Sequence, residues 1–327
     1  MTTPLTGPVL VLLEHDSNGV VRPAVLELLT IGRSLGAVHG AWVGATVPAA
    51  ELVRLGEFGV SAVHRVDVGT ADARLTPVLA EALTALAAEV AASALLLTSS
   101  FENKEAAARV GVATGAGVVV DGSGAEVVDG RVVVDKTVLA GEWTTRCAVR
   151  TPLAVLALKA NAVQAEPVDG GTVPPTVDHV VEVSARAQRT TVVDHTERAP
   201  SGRPSLGEAQ VVVVGGRGTD GDFSAVEALA DALGGAVGAT RVATDEGWIG
   251  HDAQIGQTGV TISPRLYIGA GVSGAVHHRG GMQSSGTIVA VNADPEAPIF
   301  EIADLGIVGD LFTVLPQATE EIRRLKG

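Results

Sequence analysis

Residues 266–294 read LYIGAGVSGAVHHRGGMQSSGTIVAVNAD. They join a strand-like opening to Gly269-x-Gly271-x-x-Gly274, with an acid, Asp294, twenty residues past the last glycine. In a dinucleotide fingerprint a strand, a tight glycine turn and a crossover helix set a pyrophosphate against the helix N-terminus. Here the helix falls short. Only Ala275 to His278 read as helical before Gly280 and Gly281 intervene, whereas a crossover with its helix takes about 10 to 12 residues or more. The stretch departs from a nicotinamide site at that point, and the rest of the chain has to say what the turn serves.

Upstream, short Val/Leu-rich runs alternate with Ala-rich segments of helical period. PVLVLL precedes RPAVLELLTIGRSLG, then come VHGAWVG, AAELVRLGEFG, AVHRVDV, TPVLAEALTALAAEVAA, ALLLTSS and NKEAAARVGVATG, the last with Asn103 as a cap. Such alternation implies a mostly parallel, helix-covered sheet. The period then changes. AEVVDGRVVVDK is two alternating runs around Asp129-Gly130, a strong hairpin signal, so antiparallel strands are expected at that sheet's edge. Further strands are expected near RCAVRTPLAVLALK and VVEVSARAQ. Pro200, Gly202, Pro204 and Gly207 mark a linker, and beyond it QVVVVGGRG, a loop with Asp222 as cap, and FSAVEALADALG open a second α/β unit. The expected organisation is a domain over residues 1–190, a linker over 191–207 and a domain over 208–327.

Composition narrows the function classes. A chain of 327 residues suits two domains. Its apolar runs are strand-sized, far from the roughly 18 residues of a membrane span. A net charge of −14, no basic stripe and 3% aromatics argue against nucleic acid and against an anionic lipid surface. The opening residues show no secretion or transit signal, and the single Cys147 reads as a small buried apolar residue; a reducing cytoplasm is expected.

Chemistry concentrates in the second unit. From Glu208 onward there are 15 acids and seven bases, three of the bases in the terminal IRRLKG. Arg217 and Arg241 sit among small residues beside glycine turns, as a diphosphate site requires, whereas Arg265 and Arg279 read as surface residues. IGQTG adds Gln257 and Thr258 between glycines, VSGAVHH adds Ser273 and two histidines, and a buried strand ends at Asn292 and Asp294. No nucleophile elbow accompanies Ser273, and the adjacent His277 and His278 lack metal-ligand spacing. His15-Asp16, Asp178-His179 and Asp194-His195 read as strand-end, loop and linker polar pairs.

Taken together, VVVVGGRG, GAVGATRVATDEGW, IGQTG and the run from Pro264 to Gln317 resemble the FAD-binding segments of the electron transfer flavoprotein α subunit in order and spacing; over residues 1–190 the resemblance rests on the opening strand, TSSFENKEAAAR and the length. The resemblance implies a flavodoxin-like C-terminal domain holding FAD in an extended pose. It implies that Arg217 and Thr240 approach the phosphates and ribityl region, that Arg241 lies over the isoalloxazine, and that Ile255, Gly256, Gln257 and Thr258 form the loop at the ring's reactive edge. Ser273, Gly274, Ala275, Val276 and His277 would turn around the pyrophosphate, His278 would reach the pyrimidine carbonyl, and Asn292, Asp310 and Leu311 the adenosine end. The chain departs from the family's frequent Gln at His277 and Lys at Ala293. The implied function is a one-electron carrier, not an enzyme with its own substrate, working as a heterodimer with a β subunit between dehydrogenases such as those of acyl-CoA oxidation and a membrane quinone oxidoreductase. Two other readings remain open: a nucleotide-binding regulatory module and a stand-alone flavin oxidoreductase.

Overall fold

The structure, a computed structural model, describes residues 4–139, 141–194 and 202–326. The chain forms two units, residues 1–136 with 145–197 and residues 137–144 with 198–327. Residues 195–201, the centre of the expected linker, and His195 with them, lie outside the described residues.

In chain order the first elements are β1 (Val9–Leu12), α1 (Pro23–Leu35), β2 (Val38–Val43), α2 (Ala49–Glu57), β3 (Ala62–Asp67), α3 (Thr76–Glu89), β4 (Ala94–Thr98), α4 (Phe101–Thr114), β5 (Gly117–Val128), β6 (Arg131–Val138), β7 (Trp143–Ala148), β8 (Ala154–Leu158) and β9 (Thr176–Val180). They build one sheet in the order β7-β6-β5-β8-β4-β1-β2-β3-β9. Strand alternation sends successive side chains to opposite faces. Val9 and Val11 accordingly pack with α1 on one side, while Leu10 and Leu12 pack with α3 and α4 on the other. Both faces of β4 and β8 are buried, which is why those strands read as unbroken apolar runs. Truncating a fully buried side chain such as Leu96 to Ala costs about 2–5 kcal/mol in cores of this kind.

The expected hairpin is present. β5 and β6 pair antiparallel, and both turn residues take positive φ, 50° at Asp129 and 72° at Gly130, the conformation that favours Asp-Gly. Four local expectations shift. The cap of α4 is Ser100, whose hydroxyl accepts from the Asn103 N–H, so Asn103 lies inside the helix. The last strand is β9, and residues 181–190 end in a single 3-10 turn, Ala187–Arg189, because Val177 to Val180 take the register beside β3. Asp178 and His179 therefore belong to a strand. Cys147 lies on the largely exposed β7 and is only partly buried.

β9 is an edge strand whose one buried residue is His179. Its Nδ1 lies 3.0 Å from Glu89 Oε1 and its Nε2 2.9 Å from His64 Nδ1, while His64 Nε2 lies 2.9 Å from His39 Nδ1. One tautomer satisfies the whole row: each imidazole donates from Nδ1 and accepts at Nε2. Burial, reinforced by the two neighbouring imidazoles and opposed by Glu89, holds the His64 pKa down to about 4.

The second unit runs β10 (Val211–Gly215), α5 (Ser224–Leu233), β11 (Ala236–Ala239), α6 (Arg241–Asp245), β12 (Leu266–Ala270), α7 (Val276–Met282), β13 (Thr287–Asn292), β14 (Leu305–Val308) and α8 (Leu311–Lys326). Its five strands are all parallel in the order β11-β10-β12-β13-β14. Numbered within the unit that is 2-1-3-4-5, the flavodoxin order, with a crevice where the chain direction switches between β10 and β12. Helix α7 continues through Gly280 and Gly281. Those glycines serve close packing: a Cβ on Gly281 would stand 2.4 Å from the Gly256 nitrogen.

The histidine row generates a pH dependence. The unfolded imidazole of residue 64 takes up its proton near pH 6.5 and the folded one only near 4, so the stability is complete above about 6.5 and drains away as the pH falls toward 4. Allowing for solvent screening, the loss is on the order of 1–2 kcal/mol. Chemical denaturation between pH 7.5 and 4.5 is expected to show this decline in wild type and a shallower one in His64→Gln.

Candidate functional site

Two glycine turns meet at the switch point. After β10 the chain continues Gly216-Arg217-Gly218, and after β12 it continues Gly271-Val272-Ser273-Gly274. The Gly216 N–H donates to the Ala270 carbonyl at 3.0 Å and the Gly218 N–H to the Gly271 carbonyl at 3.1 Å. A Cβ on Gly216 would stand 2.3 Å from the Gly271 oxygen, and one on Gly271, whose φ is 63°, would stand 2.7 Å from the Gly218 Cα. Backbone thus packs on backbone, and nothing larger than hydrogen fits. Gly274, φ 83°, is equally confined, since its Cβ would lie 2.4 Å from the Ile299 nitrogen.

Around these turns opens a cavity of about 570 Å³, within the range of small-molecule sites, about 300–1,000 Å³. The structure brings Arg217, Thr240, Arg241, Ile255, Gly256, Thr258, Ser273, Ala275, His277, His278 and Asn292 to its wall. Gln257, Gly274, Val276, Asp310 and Leu311 do not line it. Gln257 fastens the loop instead: its N–H donates to the His277 carbonyl and its Oε1 lies 2.9 Å from His277 Nδ1. Asp310 binds the Phe312 N–H and the Thr313 hydroxyl at the start of α8, and Leu311 is buried in the core. Arg279 pairs with Glu301 at 2.9 Å.

Sequence reasoning passed over other wall residues, among them Gly218, Asp220, Val242, Gln254, Ala297 and Pro298; Gly271 was visible only as part of the glycine spacing, and Asp294 also as a polar group at the end of a strand. Gln254 carries no cue in its residue type. Its burial comes from the fold.

The polar groups of the wall differ in how far the protein itself satisfies them. His278 is buried, with Nδ1 3.2 Å from the Ile255 carbonyl and Nε2 2.8 Å from the Tyr267 hydroxyl. Burial holds its pKa down to about 4, against the opposing Ile255 bond, so the ring is neutral, donating from Nδ1 and accepting from Tyr267. Both of its nitrogens are engaged within the protein, whereas His277 commits Nδ1 to Gln257. Asn292 donates to the Val272 carbonyl and accepts from the Asp294 N–H, holding the turn after β12. Arg241 is exposed and pairs with Asp245 at 3.2 Å. Arg217 is exposed, and no carboxylate among the described residues pairs with it. The Thr240 hydroxyl is buried without any hydrogen-bond partner, a costly state that a ligand would relieve. Among the described residues no group of His, Cys, Asp and Glu could hold a metal.

Residues 9–184 match the family described as electron transfer flavoprotein domain, and residues 205–283 match the electron transfer flavoprotein FAD-binding domain. The chain is 44% identical over 324 residues to the electron transfer flavoprotein subunit alpha of Mycobacterium leprae, covering 97% of this chain and 99% of the relative. It is 35% identical to the subunit of the same name from Thermoanaerobacterium thermosaccharolyticum, covering 95% and 97%, and 31% identical to that of Bacillus subtilis, covering 98% of each.

FAD is the cofactor of this domain, and the wall suits it: a glycine cradle that admits backbone N–H groups to a diphosphate, a cation without an acid, and an orphaned hydroxyl. The orphan supplies a test. Thr240→Val removes an unsatisfied polar group, so the FAD-free protein is expected to be as stable as wild type or more so. FAD affinity is expected to fall about tenfold, the worth of a hydrogen bond near 1.4 kcal/mol, as read by fluorescence titration of the apoprotein.

Proposed function

The chain belongs to the electron transfer flavoprotein α-subunit family, and from that premise we propose that it is a one-electron carrier that accepts electrons from dehydrogenases such as those of acyl-CoA oxidation and passes them to a membrane quinone oxidoreductase. Its working form is a heterodimer with a β subunit, in the cytoplasm, residues 1–190 serving as the partner-binding base and residues 208–327 as the FAD domain across the linker 191–207. No helix among the described residues is long and apolar enough to cross a membrane.

The observation that carries this reading is the paired glycine turn at the β10/β12 switch point with Arg217 and the Thr240 hydroxyl beside it. Bound FAD supplies the redox chemistry, and the chain binds it, orients it and sets its surroundings. The backbone N–H groups of residue 217 and of residues 272–275, which the turns leave clear of the bonds that join them, would hold the diphosphate together with the Arg217 side chain. The loop 255–258 would stand at the ring's reactive edge, Thr240 beside the ribityl region, and Ser273 to His277 would turn around the pyrophosphate. Asn292 holds the turn that receives the adenosine side, with Asp310 and Leu311 behind it at the head of α8. His278, locked neutral between Ile255 and Tyr267, keeps α7 in place and adds no charge.

Arg241 is the residue through which the protein favours the reduced cofactor. Its guanidinium stays protonated at any working pH. A unit charge about 4 Å from added negative charge is worth about 1 kcal/mol under water-like screening, the regime that exposure and the neighbouring Asp245 carboxylate set for Arg241. Arg241→Ala is therefore expected to lower the flavin's first reduction potential by about 40 mV, and Arg241→Lys by less.

Purification of the chain with its β partner is expected to give a yellow complex that releases about one FAD per α chain on acid extraction. A colourless complex, or a nucleotide other than FAD in the extract, rejects the reading. Spectroelectrochemistry on Arg241→Ala with its FAD retained then locates the ring: a potential equal to wild type removes Arg241 from it.

A further inference from the structure

We propose that Gln254, anchored by Thr244, is a positioning residue that turns the Thr258 hydroxyl into a hydrogen-bond donor toward the flavin ring, an inference that rests on FAD occupying this cavity. Gln254 is 8% exposed and Thr244 2%. A buried amide is tolerated only when its ends are satisfied, and here each end has one hydroxyl. The Thr244 hydroxyl lies 3.0 Å from Gln254 Oε1, and Gln254 Nε2 lies 3.1 Å from Thr258 Oγ1.

The three groups form a chain with a direction. An amide oxygen only accepts, an amide nitrogen only donates, and a hydroxyl has a single proton. With the Thr244 proton on Oε1, the NH₂ end faces Thr258 and fills one of its lone pairs. Thr258 lines the cavity, so its own proton is left for the ligand. The reversed amide would give the opposite result. Thr244 would then donate to the Arg241 carbonyl, 2.9 Å away, Thr258 would donate to Gln254, and the cavity would meet only oxygen lone pairs.

The backbone around Thr258 leaves hydroxyl rotation as the freedom that this chain settles. The Gln254 carbonyl accepts from the Val260 N–H at 2.8 Å, the Gln257 N–H donates to His277 at 2.9 Å, and the Ile262 N–H donates to Gly281 at 2.8 Å. An isoalloxazine presents several acceptor nitrogens and oxygens and one N–H. A fixed donor complements it, and the bond strengthens as the ring gains negative charge. Thr258 touches the ring. Gln254 and Thr244 act through it.

The test compares Gln254→Met, Gln254→Glu, Thr244→Val, Thr258→Val, Thr258→Ser and the double variant Gln254→Met/Thr258→Val as holoproteins of measured FAD content. Thr258→Val is expected to tilt the first reduction equilibrium three- to tenfold toward the oxidised cofactor, roughly 30–59 mV for one electron. Both Gln254 variants are expected to shift it in the same direction at least twofold, Thr258→Ser to stay at wild type, and the double variant to go no further than Thr258→Val. Should Gln254→Met lose FAD, Thr244→Val, which leaves the cavity wall intact, is expected to give the same shift. A wild-type potential in Gln254→Glu and Thr244→Val, or additive shifts in the double variant, overturns the positioning role while leaving FAD in its site. No shift in Thr258→Val with FAD bound overturns the placement of Thr258 at the ring and the proposal with it. Absence of FAD from the wild-type protein is a separate failure, seen at extraction.

Discussion

The second unit depends on one close approach, that of the turn after β10 to the turn after β12. At a topological switch the connections that follow two neighbouring parallel strands leave toward opposite faces of the sheet, and a crevice opens outside their carboxyl ends. Here Gly216, Gly218 and Gly271 bring main chain against main chain, with hydrogen bonds from residues 216 and 218 to 270 and 271. The peptide groups of these turns become part of the cavity's lining. Arg217, Thr240 and the loop 254–260 then stand around a space whose floor is backbone.

The hydrogen-bonding state of each wall residue divides the site into groups that hold the protein together and groups available to a ligand. His278 and Asn292 have their polar atoms taken up by Tyr267, Ile255, Val272 and Asp294. Thr240 and Arg217 do not. A residue can thus sit at a cofactor and owe its identity to the scaffold.

Much of this was legible in the sequence, for reasons particular to each element. Asp129-Gly130 announced a hairpin because both positions need positive φ, and the apolar runs of β4 and β10 announced buried parallel strands. β9 was misplaced because TVDHV lacks the apolar alternation that VVEVSARAQ offers; its position follows from pairing with β3, far away in sequence. The insertion of β8 between β5 and β4 is likewise non-local. At the site, glycines and arginines were readable from composition because few other residues do their work. Gln254 was not, since a buried amide and an exposed one look alike in a sequence. Asp310 and Leu311 lie at a helix start and in the core, away from the cavity wall.

The edge position of β9 also governs the order in which the first unit can assemble. β3 and β9 pair across more than a hundred residues of intervening chain, so their union closes a long loop and is disfavoured until the strands between them have condensed. The row of imidazoles from His39 to His179 requires β2, β3 and β9 in register at once. Loop-closure entropy therefore favours completing the row only after the sheet around it has formed.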